Sequence, residues 1–113
     1  MSLDVYLLEK HCSHCGRGDE IYDNNITHNL GKMAAEAGLY KALWRPDENG
    51  ITTAQQLADA IEPGLADLKA RPDHYKQFNA ENNWGSYEDL VRFTEAYLDA
   101  CREYPEALVR VSR

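Results

Sequence analysis

Cysteine and histidine side chains near the amino end have the spacing of a metal site. Cys12 and Cys15 form a CxxC pair in the stretch HCSHCGRGDE, and His28 follows 13 residues after the second cysteine. Two thiolates at this spacing can hold one tetrahedral zinc ion, with His28 as the third ligand. A complete zinc signature needs a second pair, so a redox pair and two ordinary turn cysteines stay open as alternatives. The fourth ligand would come from His11, His14, His74 or an acidic residue.

The stretch NNITHN, which begins at Asn24, predicts a second kind of site. We expect the first helix to begin near Asn24 or Asn25, where free backbone amides and the positive end of the helix dipole favour anions. The side chains of Thr27 and His28 would lie beside this helix start, and His28 would face away from the apolar stripe, next to Lys32. The segment therefore predicts an anion or phosphate site. The alternative is that an asparagine caps the helix and His28 is solvated.

Two tryptophans with polar neighbours would extend such a site. Trp44 and Arg45 lie in the turn LWRP, and Trp84 and Tyr87 lie in the loop NNWGSYE. Aromatic faces stack on planar ligands, and arginine binds carboxylate or phosphate through two parallel hydrogen bonds. A pocket bounded by the first helix start and by these two segments would suit a small polar or nucleotide-like ligand. The alternative is that both tryptophans pack in the core.

Signatures of catalysis are missing from the sequence. It contains no nucleophile elbow, P-loop, HExxH motif or Rossmann fingerprint. We therefore predict no catalytic residue and favour a protein that is not an enzyme. Metal-dependent hydrolysis is a third hypothesis, which requires Asp19, Glu20, Asp23 and His28 to gather around a metal ion.

The net charge indicates which classes of partner the protein would bind. The 113 residues include 19 acidic and 12 basic ones, which gives a net charge of −7. This charge disfavours binding to DNA or RNA phosphates and suits a basic protein partner. The opening MSLDVYLLEK lacks the pattern of a signal peptide, and no apolar run has the length of a membrane span. An odd number of cysteines, three, argues against a disulfide framework, so we expect the protein to be cytoplasmic. Its length of 113 residues predicts a single domain.

Strands are predicted at both ends of the chain. LDVYLL at residues 3–8 and ALVRVSR at residues 107–113 are rich in β-prone apolar residues. The two strands most economically pair with each other, because a lone strand leaves its backbone groups unpaired. Between them, the first helix should end at Gly38, and LYKALWRP should add one helical turn before Pro46.

Two further helices have recognisable start signals. Thr52 or Thr53 opens a second helix, whose apolar residues stay in phase across Pro63 and favour one kinked helix. Ser86, in the capping-box pattern SYED, opens a third helix. The polar stretch RPDHYKQFNAENNWGS between them is expected to be a long loop, and such loops are often functional. The predicted fold is α+β, with three helices packed on a two-stranded ribbon made by the terminal strands.

The motifs MSLDVYL, NITHNLGKMA, LYKALWRP, GIT, NWGSYE, LVRF and VSR stand in this order along nearly the whole chain. With them the chain resembles a family of small uncharacterised proteins found in bacteriophages and bacterial genomes. In that family NITHN and LWRP are general, whereas the segment corresponding to HCSHCGRGDE varies and can lack cysteines. The resemblance implies a phage-associated setting, in the cytoplasm of the host cell, with metal binding as a variation on the fold. It implies no particular activity.

These features support three functional hypotheses. The first is a non-enzymatic, phage-type accessory protein that binds a small polar or nucleotide-like ligand, with sequestration of a host-defence signal as one use. The second is a protein-interaction module that is stapled by zinc and acts through its acidic surface. The third is the metal-dependent hydrolase.

Overall fold

The computed structural model describes residues 2–9, 20–79 and 85–113. Three antiparallel strands form one sheet in the order β2-β1-β3, with β1 at Ser2–Leu8, β2 at Glu20–Thr27 and β3 at Leu108–Ser112. The predicted pairing of the two terminal strands is confirmed, because β1 pairs with β3. The protein has the predicted α+β fold, but the prediction of a two-stranded ribbon is wrong.

The third strand occupies the residues that were expected to begin a helix. β1 lies between two partners, so that Val5 faces Asn24 of β2 on one side and Val111 of β3 on the other. This pairing satisfies backbone groups along both strands, which a helix start at Asn24 or Asn25 would leave open. Asparagine suits a helix cap, but here pairing with β1 outweighs that local preference. One sheet face is apolar, because Leu3, Val5 and Leu7 are fully buried.

Helical structure begins only after β2, with a 3-10 turn at His28–Leu30 and then α1 at Gly31–Glu36. The predicted end of this helix is confirmed. Gly38 has a φ of 77°, and the amide of Leu39 donates to the carbonyl of Ala34 at 2.7 Å. This is a Schellman end, which needs a residue that tolerates positive φ. The predicted extra turn is α2, Tyr40–Trp44, followed by a 3-10 turn at Pro46–Asn49.

The two long helices begin as the sequence predicts. α3 spans Ala54–Ala70 without a break at Pro63, and a capping box of Thr53 and Gln56 starts it. α5 spans Tyr87–Glu103 and starts with the predicted capping box of Ser86 and Asp89. The prediction of an unstructured loop between them is wrong at Pro72–Lys76, which forms the short helix α4. Pro72 favours this start because proline fits the first turn of a helix. The described residues thus contain five α-helices where three were expected.

α3 and α5 run antiparallel and pack against each other beneath the sheet. Ion pairs of 2.7 Å between Lys69 and Glu95 and of 2.8 Å between Arg102 and Glu62 link their exposed sides. Between sheet and helix, Tyr97 stacks on Tyr22 of β2 with ring centroids 5.7 Å apart. The sheet is thereby fixed over α5. Among the described residues, no helix has the length and apolarity needed to cross a membrane.

Candidate ligand-binding groove

A groove of about 490 Å³ lies between β2 and the first half of α5. The strand and the turn after it contribute Asn24, Asn25, Ile26, Thr27 and Leu30. The helix contributes Asp89, Arg92, Phe93 and Ala96, with Gly85 just before it. The four helix positions are spaced by three, four and seven residues, so they share one face of α5. Three of the predicted ligand-binding residues, Asn24, Asn25 and Thr27, therefore lie together in one groove.

The floor of the groove is apolar. Ile26, Leu30 and Phe93 are buried there. Gly85 passes close over this floor with a φ of 117°, and a Cβ at this position would lie 2.8 Å from Cγ2 of Thr27 and 2.9 Å from Cγ of Leu30. Only glycine fits this combination of backbone angle and close approach. The backbone at Gly85 can thus lie against Thr27 and Leu30 at this end of the groove because glycine has no side chain.

Polar groups on the strand side are engaged to different degrees. The amide nitrogen of the Asn24 side chain donates to the Tyr22 hydroxyl at 3.1 Å, and its oxygen accepts from the backbone amide of Asn25 at 2.8 Å. Thr27 Oγ1 accepts from the amide of Asn29 at 3.3 Å. The exposed side chain of Asn25 has no hydrogen-bond partner within the described ranges. Asn25 alternates with Asn24 and Ile26 along β2, so its side chain points to the opposite face of the sheet, and Asn24 is the polar side chain of the strand on the groove side.

Opposite charges stand on the helix side. Asp89 is occupied by the capping box, because one of its oxygens accepts from the amide of Ser86 at 3.2 Å. Its other oxygen makes only a long contact, 3.5 Å, with Nη1 of Arg92. The Arg92 side chain is 76% exposed, so an ion pair of this length adds little stability. The Arg92 guanidinium can therefore turn to an anionic ligand at small cost.

His28 and Trp44 form a separate cluster outside this groove lining. The indole nitrogen of Trp44 donates to Nδ1 of His28 at 2.9 Å, and Tyr40 stacks on the Trp44 ring with centroids 5.4 Å apart. Because Nδ1 accepts, the neutral imidazole carries its proton on Nε2. His28 was expected to face away from the core. It is instead half-buried against Trp44, because it follows a strand and begins a 3-10 turn.

Three more of the predicted ligand residues, Lys32, Arg45 and Tyr87, lie apart from the groove lining. Lys32 is exposed on α1. Arg45 pairs with Glu48 at 2.6 Å, and this hydrogen bond raises the pKa of the arginine. Tyr87 is buried, and its hydroxyl donates to the carbonyl of Leu68 at 2.6 Å. Trp84 lies outside the described residues.

The predicted zinc site is contradicted. Within residues 2–9, 20–79 and 85–113, no three His, Cys, Asp or Glu side chains lie close enough together to hold a metal ion. The predicted third ligand, His28, directs Nδ1 to Trp44. The predicted cysteine ligands, Cys12 and Cys15, fall outside the described residues, as do His11 and His14.

The described acidic residues proposed for hydrolysis belong to no group of three potential metal ligands. Glu20 and Asp23 share a hydrogen bond on β2, which raises the pKa of Glu20. Another potential metal ligand, His74, contacts Glu36 instead, with 3.3 Å between Nε2 and Oε1. Asp19 is outside the described ranges. Nothing among the described side chains therefore supports a metal-dependent reaction.

Sequence reasoning missed the helix side of the groove. Asp89 was considered only as part of the capping-box pattern SYED, and Arg92 was not considered as a binding residue. The available signal was the motif LVRF, which sets Arg92 beside Phe93. The motif alone does not predict a groove, because this face of α5 becomes a groove wall only when β2 lies beside it.

Comparisons with protein-family models, with curated proteins and with solved structures gave no match. Function is therefore inferred from the groove between β2 and α5 and from the side chains that line it.

Proposed function

We propose that the protein is a non-enzymatic binding protein that holds a small, polar, anionic ligand of nucleotide type between β2 and α5. The observation that carries this proposal is the position of Arg92. Its loosely held guanidinium stands at the edge of a groove whose floor is apolar and whose opposite wall bears amide and hydroxyl groups.

The size of the groove supports a small-molecule ligand. Its volume of about 490 Å³ falls within the range of about 300–1,000 Å³ that is usual for small-molecule sites. Such sites combine an apolar surface with a few polar groups that fix the orientation of the ligand. The small exposed parts of Ile26 and Phe93 would contact a planar base, while the Asn24 side chain, on the same sheet face as Ile26, would exchange hydrogen bonds with its edge.

The charges support an anion with further polar groups. Arg92 would bind a phosphate through two parallel hydrogen bonds, a geometry that guanidinium favours. Asp89 beside it would repel a bare polyanion but could accept a hydrogen bond from a ribose hydroxyl or an amino group. This pairing suits a nucleotide better than inorganic phosphate. Long nucleic acids are not the proposed ligand, because the chain carries a net charge of −7.

The biological role that we propose is sequestration. The resemblance to phage-associated proteins suggests a signal molecule of host defence as the ligand and the host cytoplasm as the place of action. Binding alone would serve this role, since a captured signal no longer reaches its receptor. The role therefore requires affinity and abundance and no chemical step.

A thermal-shift panel tests the proposal. The purified protein would be heated with linear nucleotides, cyclic nucleotides and inorganic phosphate, because a ligand that binds only the folded state raises the melting temperature. We expect stabilisation by at least one nucleotide and none by phosphate alone. If no nucleotide raises the melting temperature at saturating concentration, the proposal fails.

A further inference from the structure

A second groove, of about 460 Å³, lies at the other end of α5. Ile21, Tyr104, Pro105 and Ala107 give it apolar walls, and Glu9, Glu103 and Glu106 form its rim. It shares no lining residue with the groove between β2 and α5. We call it the acidic groove.

The acidic groove exposes apolar surface that a folded chain usually buries. Tyr104, which lines the groove, is 39% exposed and is one of two large hydrophobic side chains that are exposed among the described residues. Contiguous exposed apolar surface with a polar rim is typical of a protein-interaction site.

The rim carries negative charge that the described residues do not neutralise. None of Glu9, Glu103 and Glu106 has an ion pair with another described residue, and the lining residues within 2–9, 20–79 and 85–113 include no basic side chain. Other acidic side chains on this helix pair are neutralised, such as Glu62 by Arg102 at 2.8 Å. The carboxyl end of the 17-residue helix α5 adds its own partial negative charge here. Apolar walls beneath an acidic rim are complementary to a cation that carries apolar surface.

We propose that the acidic groove binds a basic linear segment of a partner protein, in which lysine or arginine alternates with apolar residues. The apolar side chains would contact Tyr104 and Pro105, and the basic ones would pair with the glutamates of the rim. Charge complementarity selects this occupant and would speed its encounter at low salt. The inference is independent of the proposed ligand groove, with which it shares no residue.

Labelled short peptides test this proposal by fluorescence anisotropy. One peptide alternates Arg and Leu, a second alternates Arg and Gly, and a third alternates Glu and Leu. We expect the Arg-Leu peptide to bind, with affinity that falls as salt increases, and the Arg-Gly peptide to bind at least about fivefold more weakly. Equal binding of the first two peptides, or binding of the Glu-Leu peptide, would overturn the proposal.

Matched variants locate the binding site. The double variant Glu103→Gln, Glu106→Gln should weaken Arg-Leu binding by more than about tenfold. The double variant Asp59→Asn, Asp73→Asn removes the same net charge elsewhere and should change the affinity by less than about twofold. Tyr104→Ala should weaken binding by at least about fivefold, because it removes the main apolar contact. Thermal melts establish that each variant is folded.

Two further results would contradict the proposal. Equal weakening by both double variants would show attraction to net charge alone. Self-association of the wild-type protein in sedimentation experiments, abolished by Glu103→Gln, Glu106→Gln, would show that a second copy covers the groove.

Discussion

The indole nitrogen of Trp44 donates a hydrogen bond of 2.9 Å to Nδ1 of His28. The two residues lie 16 positions apart, in the motifs NITHN and LWRP, which were singled out separately. The bond ties the turn after β2 to α2, close to where the stacked ring of Tyr40 covers Trp44. The two motifs thus meet in a structural contact outside the lining of the ligand groove.

A double-mutant cycle measures this contact. Trp44→Phe keeps an aromatic ring and removes the donor, while His28→Ala removes the acceptor. We expect a coupling free energy of about 1 kcal/mol in urea unfolding, because a neutral hydrogen bond usually contributes about that much. Additive effects of the two substitutions would show that the hydrogen bond does not contribute to stability.

The backbone of Gly85 gives a second prediction. Gly85→Ala should lower the free energy of unfolding by about 2–4 kcal/mol, because the new Cβ meets Thr27 and Leu30 and the positive φ disfavours alanine. Gly50→Ala is the control, since Gly50 has a φ of 72° with open space around it and should lose only about 1 kcal/mol. Equal losses of unfolding free energy for Gly85→Ala and Gly50→Ala would contradict this prediction, because Thr27 and Leu30 would then move away from the added methyl group at no cost.

Alkaline pH should weaken the protein through Cys101. Burial raises the pKa of this thiol to about 12, whereas the pKa of a cysteine thiol in an unfolded chain is about 8.5. Unfolding therefore releases a proton between these values, so stability falls as pH rises from about 8.5 toward about 12. Cys101→Ala should flatten that decline.

The measurement is urea unfolding of both proteins at about pH 7 and about pH 10. At neutral pH, Cys101→Ala should be the less stable protein, because it leaves a small cavity. The difference should shrink at the higher pH. A difference that is the same at both pH values would contradict the assignment of the alkaline effect to this thiol.

Asp89 gives a prediction about the sign of the ligand's charge. Asp89→Asn keeps an acceptor for the amide of Ser86 and removes the negative charge beside Arg92. If the ligand is an anion, its affinity in calorimetric titration should rise by about fivefold, which corresponds to about 1 kcal/mol. The amide oxygen of asparagine can still accept a hydrogen bond from the ligand, so a fall in affinity would contradict the binding of an anionic group beside Arg92.

Much of the fold was predictable where local signals decide it. The capping boxes at Thr53 and Ser86, the cap at Gly38 and the alternation in the terminal strands each lie within a few residues. β2 was missed because Asn24 and Asn25 have low strand propensity and serve equally well as caps. Only pairing with β1, distant in sequence, makes them a strand.

The candidate site was predictable in part for the same reason. The polar cluster from Asn24 to Thr27 was identified by residue type. Its neighbours Arg92 and Phe93 lie more than 60 positions away, and only the packing of α5 on the sheet brings them to it. His28 was expected to face solvent because a helix was predicted from Asn24 onward. In the structure His28 follows a strand instead, and successive side chains point in different directions in a strand and in a helix.

Calorimetric titration of two arginine variants tests the central claim most directly. Arg92→Gln removes the proposed anion-binding group, and Arg102→Gln removes the same charge from the same helix at a residue that pairs with Glu62. With the nucleotide that stabilises the wild-type protein most, we predict at least about tenfold weaker binding for Arg92→Gln and less than about twofold change for Arg102→Gln. Undiminished affinity of Arg92→Gln would contradict the proposed binding site.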